Sequence, residues 1–352
     1  MTENKGILIR NIFYMLTYAF QELSQNNYEK IATEDFDNIH DLFAEILSRG
    51  IAYQLKQGLR REYVSRHETM SSLKGKLDID ASVRNLASRK RLLDCDYDEL
   101  SINNIFNQII KTTAVLLIKH GEVNKERKGV LKKLMLYFSD VSVIDPLYIR
   151  WSTLRFDRNS RTYRMLMYIC FFVLDNLILT TESGEYAMHT FSDEHMCRLY
   201  EIFILEYYKR HHPECKPRAA QVKWNFDMEQ VSVESLAVLP IMQTDIFLEI
   251  GNRTLIIDAK YYSHSLSEHI GKNVLHTPNF YQINSYVLNY DVKHTGKVDG
   301  MLLYAQTQNE GVINYSYPHR DGNVFYVKSL DLNQDFDSIK AQLENIISDI
   351  VY

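Results

Sequence analysis

Asp245, Asp258 and Lys260 fall within one short segment, Gln243-Thr-Asp-Ile-Phe-Leu-Glu-Ile-Gly-Asn-Arg-Thr-Leu-Ile-Ile-Asp-Ala-Lys260, and two acids with a lysine so placed can hold a metal ion against a phosphate. Thr254 to Tyr262 is a short apolar, β-branched run. The Gly251-Asn252 turn joins it to Asp245-Ile-Phe-Leu-Glu-Ile250, the pattern of paired antiparallel strands. Alternate side chains of a strand share a face, so Asp258 and Lys260 project together while Ala259 points the other way. Ions beside Leu255, Ile256 and Ile257 cost several kcal/mol each to bury unless they are paired or bind metal. The plain alternative is a structural ion pair at a strand end, and an acid two residues before a lysine is a weak signal by itself.

Two further positions bear on this segment. In Tyr281-Gln-Ile-Asn-Ser-Tyr286, Gln282 and Tyr286 lie four apart, hence on one face of the helix expected there. An ordinary amphipathic helix with Tyr286 in the core explains the same spacing. Glu201, in Leu199-Tyr-Glu-Ile-Phe203, is an acid on an earlier helix. Glu206 is its rival, and a solvated helix glutamate is the alternative for both.

The elements that must position these residues follow from periodicity. Ile9 to Phe20 and Asp37 to Leu47 carry apolar residues at helical spacing. From about Arg61 to Leu100 the pattern changes to strand-like pieces, Glu62–Ser65, Leu73–Ile79 and Arg91–Tyr97, a small sheet inserted between helices. Helical pattern returns over Ser101–Leu117, Lys132–Phe138 and Thr162–Leu179. A polar cluster, Thr180-Thr-Glu-Ser-Gly-Glu185, then marks a domain boundary. Beyond it, Ser192-Asp193 can cap a helix through Tyr208. Strands are expected at Gln221–Phe226, Gln243–Ile250 and Thr254–Tyr262, a helix at Asn279–Leu288, strands at Gly300–Ala305 and Val324–Val327, and a final helix over Leu332–Ile350. There is no internal repeat and no low-complexity tract.

The order helix, strand, hairpin with Asp and Asp-x-Lys, helix, strand resembles the PD-(D/E)xK nuclease core. The resemblance implies that Asp245 and Asp258 bind Mg²⁺ with the Ala259 backbone carbonyl completing the sphere, and that Lys260 positions or activates water. Gln282 and Tyr286 resemble the Gln-x-x-x-Tyr motif of many such nucleases, and Glu201 stands where the first helix of that fold often supplies an acid. Thr244 replaces the usual proline before the first acid. Mg²⁺ suits this set, because it takes one or two carboxylates plus waters and phosphate oxygens and lowers the pKa of bound water.

Over nearly its whole length the chain resembles McrC, the nuclease subunit of McrBC-type modification-dependent restriction systems. The match is carried by Ile9-Arg-Asn-Ile-Phe-Tyr-Met-Leu-Thr-Tyr-Ala19, Leu73-Lys-Gly-Lys-Leu-Asp78, Asp96-Tyr-Asp-Glu-Leu-Ser-Ile-Asn-Asn-Ile-Phe-Asn-Gln-Ile-Ile-Lys111, Thr244-Asp-Ile246 and Ile257-Asp-Ala-Lys-Tyr-Tyr262. It implies an α+β and α/β fold: a helix-rich N-terminal domain with a small inserted β-sheet over 1–183, followed by a restriction-endonuclease-like α/β domain over 184–352. It implies a partner, an McrB-like AAA+ GTPase ring on which the N-terminal part docks and whose hydrolysis it stimulates. The substrate implied is double-stranded DNA, with methylcytosine read by the partner. GTP belongs to the partner as well, since this chain contains no Gly-x-x-x-x-Gly-Lys-Ser/Thr loop; its nearest fragment, Gly75-Lys-Leu77, lacks the earlier glycine and the hydroxyl.

Composition fits a soluble two-domain protein: 352 residues, 45% hydrophobic and 24% charged. A net charge of -5 leaves any DNA contact to local basic surface. The N-terminus has no secretory pattern and no apolar run reaches membrane-spanning length, so a cytoplasmic address is expected. Cys95, Cys170, Cys197 and Cys215 are scattered and read as reduced thiols. Arg150, Arg155, Arg158, Arg161 and Arg164, interleaved with Trp151, Phe156 and Tyr163, could track a phosphate backbone or meet an acidic ring surface, and a solvated basic segment is as good a reading. Arg84 and Arg89-Lys-Arg91 flank the small sheet. His211-His212 with Cys215, and His264 with His269, match no closed zinc spacing. Two other functions remain open at this level: a non-catalytic activator of an NTPase ring, and a stand-alone repair exonuclease of the same core.

Overall fold

Ile9–Ala19 forms helix α1, which buries Ile9, Ile12, Phe13, Met15, Leu16 and Tyr18 at the helical interval the sequence displays. The computed structural model describes residues 3–4, 7–20, 23, 28, 31, 34, 36, 38–156, 161–177, 193–227, 229–261, 267–269, 272–306 and 311–351. It divides into two units, Met1–Leu42 with His189–Tyr352, and Phe43–Met188. The first 42 residues therefore belong with the C-terminal part, unlike the linear division at 183/184, and the boundary cluster Thr180–Glu185 lies outside the described residues. The cause is non-local packing: the Tyr18 ring meets Phe203, Tyr207 and Phe336, and Asn11 donates from Nδ2 to the carbonyls of Leu332 (2.8 Å) and Gln334 (2.7 Å).

Helix α2 (Ile39–Gln57) leads into the second unit. There β1 (Glu62–Met70), β2 (Lys76–Asp78) and β3 (Leu93–Ser101) form an antiparallel sheet in the order β1-β3-β2. The expected strand Leu73–Ile79 is cut short, because Asp78 accepts from Ala81 N (3.0 Å) and so caps helix α3 (Ile79–Ala87). Helices α4 (Ile105–Lys119, capped by Asn104), α5 (Lys125–Met135) and α6 (Arg161–Leu177) follow. Phe43, Leu47, Ile109, Ile110, Leu166 and Phe172 are among the side chains of this unit's core.

In the first unit, α7 (Asp193–His211) precedes two short paired strands, β4 (Gln221–Val222) and β5 (Met242–Gln243), and then β6 (Ile246–Ile250) and β7 (Arg253–Lys260). Helix α8 (Thr277–Tyr290), β8 (Val298–Gln306), β9 (Asn314–Pro318), β10 (Val324–Asp331) and α9 (Phe336–Val351) follow among its main elements. The main sheet runs β9-β10-β8-β7-β6, with β7, β8 and β10 parallel and both edge strands antiparallel. The fold is thus a mixture of helix and sheet, as the sequence implies. Strand β9 was not expected; its five residues are all exposed, so no buried apolar face marks it, and only Tyr315 and Tyr317 alternate with polar residues.

The β6–β7 hairpin turns at Gly251, whose φ is +58°, with Ile250 paired to Arg253. Positive φ at the first central residue is the II′ arrangement that glycine permits. Parallel β7 and β8 need a crossover, and α8 supplies it, burying Ile283, Tyr286 and Val287 against Phe247, Ile256, Leu302 and Phe325. Gly300 allows this approach: a Cβ there would lie 2.8 Å from Ile283 and 2.9 Å from Val287.

Candidate active site

The pairing of Ile246 with Ile257 places Asp245, just ahead of β6, opposite Asp258 on β7. Ile256 belongs to the core beneath α8, and Asp258 and Lys260 follow it at even spacing on the same side of β7. Lys260 Nζ stands 2.8 Å from Asp258 Oδ2, and the Asp245 Oδ2 accepts from the Ala259 N–H at 2.9 Å. Asp258 is 1% exposed, with Lys260 and Asp245 as its side-chain partners. A carboxylate has about four lone-pair sites, so these two contacts leave acceptor capacity unused.

Electrostatics describe one site rather than scattered charges. Burial, reinforced by the charges of Asp258 and Glu201, pushes the Asp245 carboxyl up to about 8, against the pull of Lys260 and the Ala259 N–H. Burial also raises Asp258, and Lys260 opposes it. Glu201, on α7, is raised by burial first, with Cys197 and Lys260 lowering it and Asp258 raising it. Three acids and one lysine carry more negative charge than a buried pocket holds unless the acids take up protons, as these raised values show, or a cation joins them.

The structure brings the supporting residues to this place. Gln282 Nε2 donates to the Tyr286 hydroxyl (2.8 Å), and that hydroxyl donates to the Gln243 carbonyl (3.0 Å), two residues before Asp245. Tyr286 is raised by burial and also feels both Asp258 and Asp245. Of the two glutamates, Glu201 joins the site, whereas Glu206 pairs with Lys209 at 2.7 Å on the helix surface. Ala259 is fully buried between Asp258 and Lys260.

Two features escaped the sequence reading. Cys197 Sγ donates to Glu201 Oε1 (3.4 Å) and also meets the Tyr261 backbone, and burial pushes this thiol up to about 11. Its signal was the four-residue spacing to Glu201 on one helix face. The other feature is a break: the strand expected over Gln243–Ile250 is two strands interrupted at Thr244 and Asp245. Thr244 N donates to the Ala220 carbonyl (2.9 Å), and its Oγ1 bonds both polar groups of Ala220 at 3.0 Å. A proline has no N–H for that bond, which accounts for threonine at this position.

The donor set fits Mg²⁺. All candidate ligands are hard oxygens, and the Asp258 oxygens are buried with unused lone pairs. Asp245 and Asp258 would hold the ion, with the Ala259 carbonyl and Glu201 beside them.

The other candidates behave differently. Gly75 has φ +70°, and a Cβ there would lie 2.3 Å from the Asp96 carbonyl, so this glycine serves close packing on β3. Arg150 and Arg155 are exposed, Arg158 lies outside the described residues, and Arg84 and Arg89–Arg91 are exposed around the small sheet. His211 Nε2 meets the Tyr18 hydroxyl at 2.9 Å. His264 lies outside the described residues, and of His269 only the backbone is described. All four cysteines are free thiols, and among the described residues no helix is long and apolar enough to cross a membrane.

A family model described as "McrBC 5-methylcytosine restriction system component" matches residues 2–305. The chain belongs to this McrBC family. A curated relative, the "Type IV methyl-directed restriction enzyme EcoKMcrBC" of Escherichia coli (strain K12), is 27% identical over 352 residues, 99% of this chain and 99% of that protein. Among solved structures, the "Refined half-complex from tetradecameric assembly of Thermococcus gammatolerans McrB AAA+ hexamers with bound McrC" is 16% identical, covers 96% of this chain and 78% of that chain, and gives a TM-score of 0.49. A second, "Cryo-EM structure of the Thermococcus gammatolerans McrBC complex", is 20% identical over 57% of this chain and 58% of that one, with a TM-score of 0.41. Both scores are too low to argue a shared fold.

Proposed function

We propose that this McrBC-family chain is the DNA endonuclease subunit of a restriction complex, with a PD-(D/E)xK-type site in the unit that contains α7 to α9. The observation that carries this reading is Asp258: a buried carboxylate that faces Asp245 across a hairpin and Lys260 along its own strand and keeps acceptor capacity beyond those two contacts. Mg²⁺ held there supplies Lewis-acid stabilisation and an activated water when bound. Lys260 holds a positive charge where negative charge develops on the phosphate. Asp245 is fixed by the Ala259 N–H, and Tyr286 fixes the backbone that leads into Asp245. Glu201 adds a third acid and draws the cation in.

Membership of the McrBC family supports double-stranded, methylcytosine-containing DNA as the target, and the relative's name supports a methyl-directed restriction enzyme. The partner in this reading is an McrB-like AAA+ ring that uses GTP and that this chain stimulates, because the chain has no phosphate-binding loop of its own. The residues 1–183, proposed as the docking part, include the small sheet and its exposed α3.

The test is reconstitution with the neighbouring ring protein on methylated and unmethylated DNA, with GTP and with ATP. Asp258→Ala should abolish cutting while GTPase stimulation persists. Cutting by that variant at the wild-type rate would overturn the assignment.

A further inference from the structure

We infer that His212, Glu214 and Cys215 form a binding site for a borderline divalent cation of the Zn²⁺ class at the C-terminal end of α7, remote in role from the acidic site. A ring nitrogen of His212, a Glu214 carboxylate oxygen and Cys215 Sγ all lie within 4.8 Å of one another. Bonds of about 2.0–2.3 Å from a central ion to nitrogen, oxygen and sulfur span separations of this order. The mixture of imidazole, thiolate and carboxylate favours Zn²⁺ over Mg²⁺, which prefers oxygen alone.

The second nitrogen of His212 is already provided for. Nε2 meets Glu344 Oε2 at 2.8 Å, and Glu344 Oε1 accepts from the Tyr207 hydroxyl. A histidine that binds metal through one nitrogen donates its other N–H to a carboxylate in this way, which fixes ring and tautomer. With Nε2–H given to Glu344, Nδ1, which donates to Glu214 Oε1 at 2.9 Å, would release that proton to solvent when a cation takes its place between the two ligands.

The backbone sets the three ligands in place. His212 N continues the helix to the Tyr208 carbonyl (2.8 Å), Pro213–Cys215 forms one 3-10 turn, and Lys216 closes it in the left-handed region at φ +46°. The turn is tied to the sheet, since Lys216 Nζ bonds Glu249 at 2.6 Å. Cys215 is 5% exposed, whereas the Glu214 side chain is 66% exposed, so the cluster is reached from solvent on the Glu214 side. The carbonyl end of a nineteen-residue helix also favours positive charge.

A Co²⁺ titration of the purified full chain, followed by visible and near-ultraviolet absorption, tests the site. Stoichiometric Co²⁺ should produce a thiolate-to-cobalt band that Zn²⁺ displaces, that Cys215→Ser removes, and that Asp258→Ala leaves unchanged. Glu214→Gln alters an exposed side chain and should weaken the affinity about tenfold or more while far-ultraviolet circular dichroism stays the same. Absence of the band, its persistence in Cys215→Ser, or its loss in Cys197→Ser instead would overturn the inference.

Discussion

Asp245 is fastened to the backbone of Ala259, the residue that separates Asp258 from Lys260: its Oδ2 accepts that N–H at 2.9 Å. One hydrogen bond thus locks the first acid against the strand that carries the second acid and the lysine. The Asp245–Asp258–Lys260 part of the site is anchored on the main chain of one hairpin.

The metal-free site should be sensitive to pH in a stated direction. Asp245 titrates near 8 in the folded chain against 3.8 in the unfolded reference, so the folded state binds more protons between those values. Stability without divalent metal should then fall as pH rises from about 4 towards 8 and level off above it. Mg²⁺ neutralises the acids and should raise the melting temperature more at pH 8.5 than at pH 6. Calorimetry with Mg²⁺ and with a chelator reads this, and an equal gain at both pH values would contradict it.

Thr244→Pro restores the residue usual in PD-(D/E)xK sequences and should nonetheless weaken this protein. The substitution removes the N–H given to Ala220 and the hydroxyl that bonds the same residue, leaving part-buried backbone groups unpaired. A loss of about 1–3 kcal/mol is expected in urea denaturation. An unchanged or higher midpoint would show that the β4–β5 strand pair does not depend on this contact.

Gly300→Ala would set a methyl group 2.8 Å from Ile283 and 2.9 Å from Val287. Helix α8 must move outward, at about 1–3 kcal/mol, and it carries Gln282 and Tyr286 with it. Stability and cleavage should both fall, and Gly300→Ser should fall further. Cleavage at the wild-type rate in a destabilised Gly300→Ala protein would show that α8 does not position the acids.

Tyr286→Phe keeps the ring in its core and deletes the hydroxyl that links Gln282 to the Gln243 carbonyl. The expected effect is about 1 kcal/mol in stability and a partial loss of cleavage through kcat, with DNA affinity retained. Complete loss of cleavage would mean that the hydroxyl itself contacts the substrate or the metal-bound water.

Much of the hairpin was legible because its information is local. The alternation Ile256, Asp258, Lys260, the apolar run from Leu255 to Ile257 and the Gly251 turn all lie within one segment, and a two-residue period needs no distant partner to be seen. The helix holding Gln282 and Tyr286 was visible for the same reason, at period 3.6. The break at Thr244 was not, since it depends on Ala220, twenty-four residues earlier. Helix α3 was hidden because a single side-chain bond, Asp78 to Ala81, ends the strand that its residues otherwise continue.

The sequence by itself determined which residues are chemically able to form the site, and which face of its own strand or helix each occupies. Tertiary structure decided the rest: that Glu201 and not Glu206 joins the acids, that Cys197 meets the Tyr261 backbone, and that α1 packs with α7. Helical and strand periods assign a side chain to a face, but burial and partnership depend on which distant face covers it. That covering is fixed only when the apolar surfaces of the whole unit are packed together.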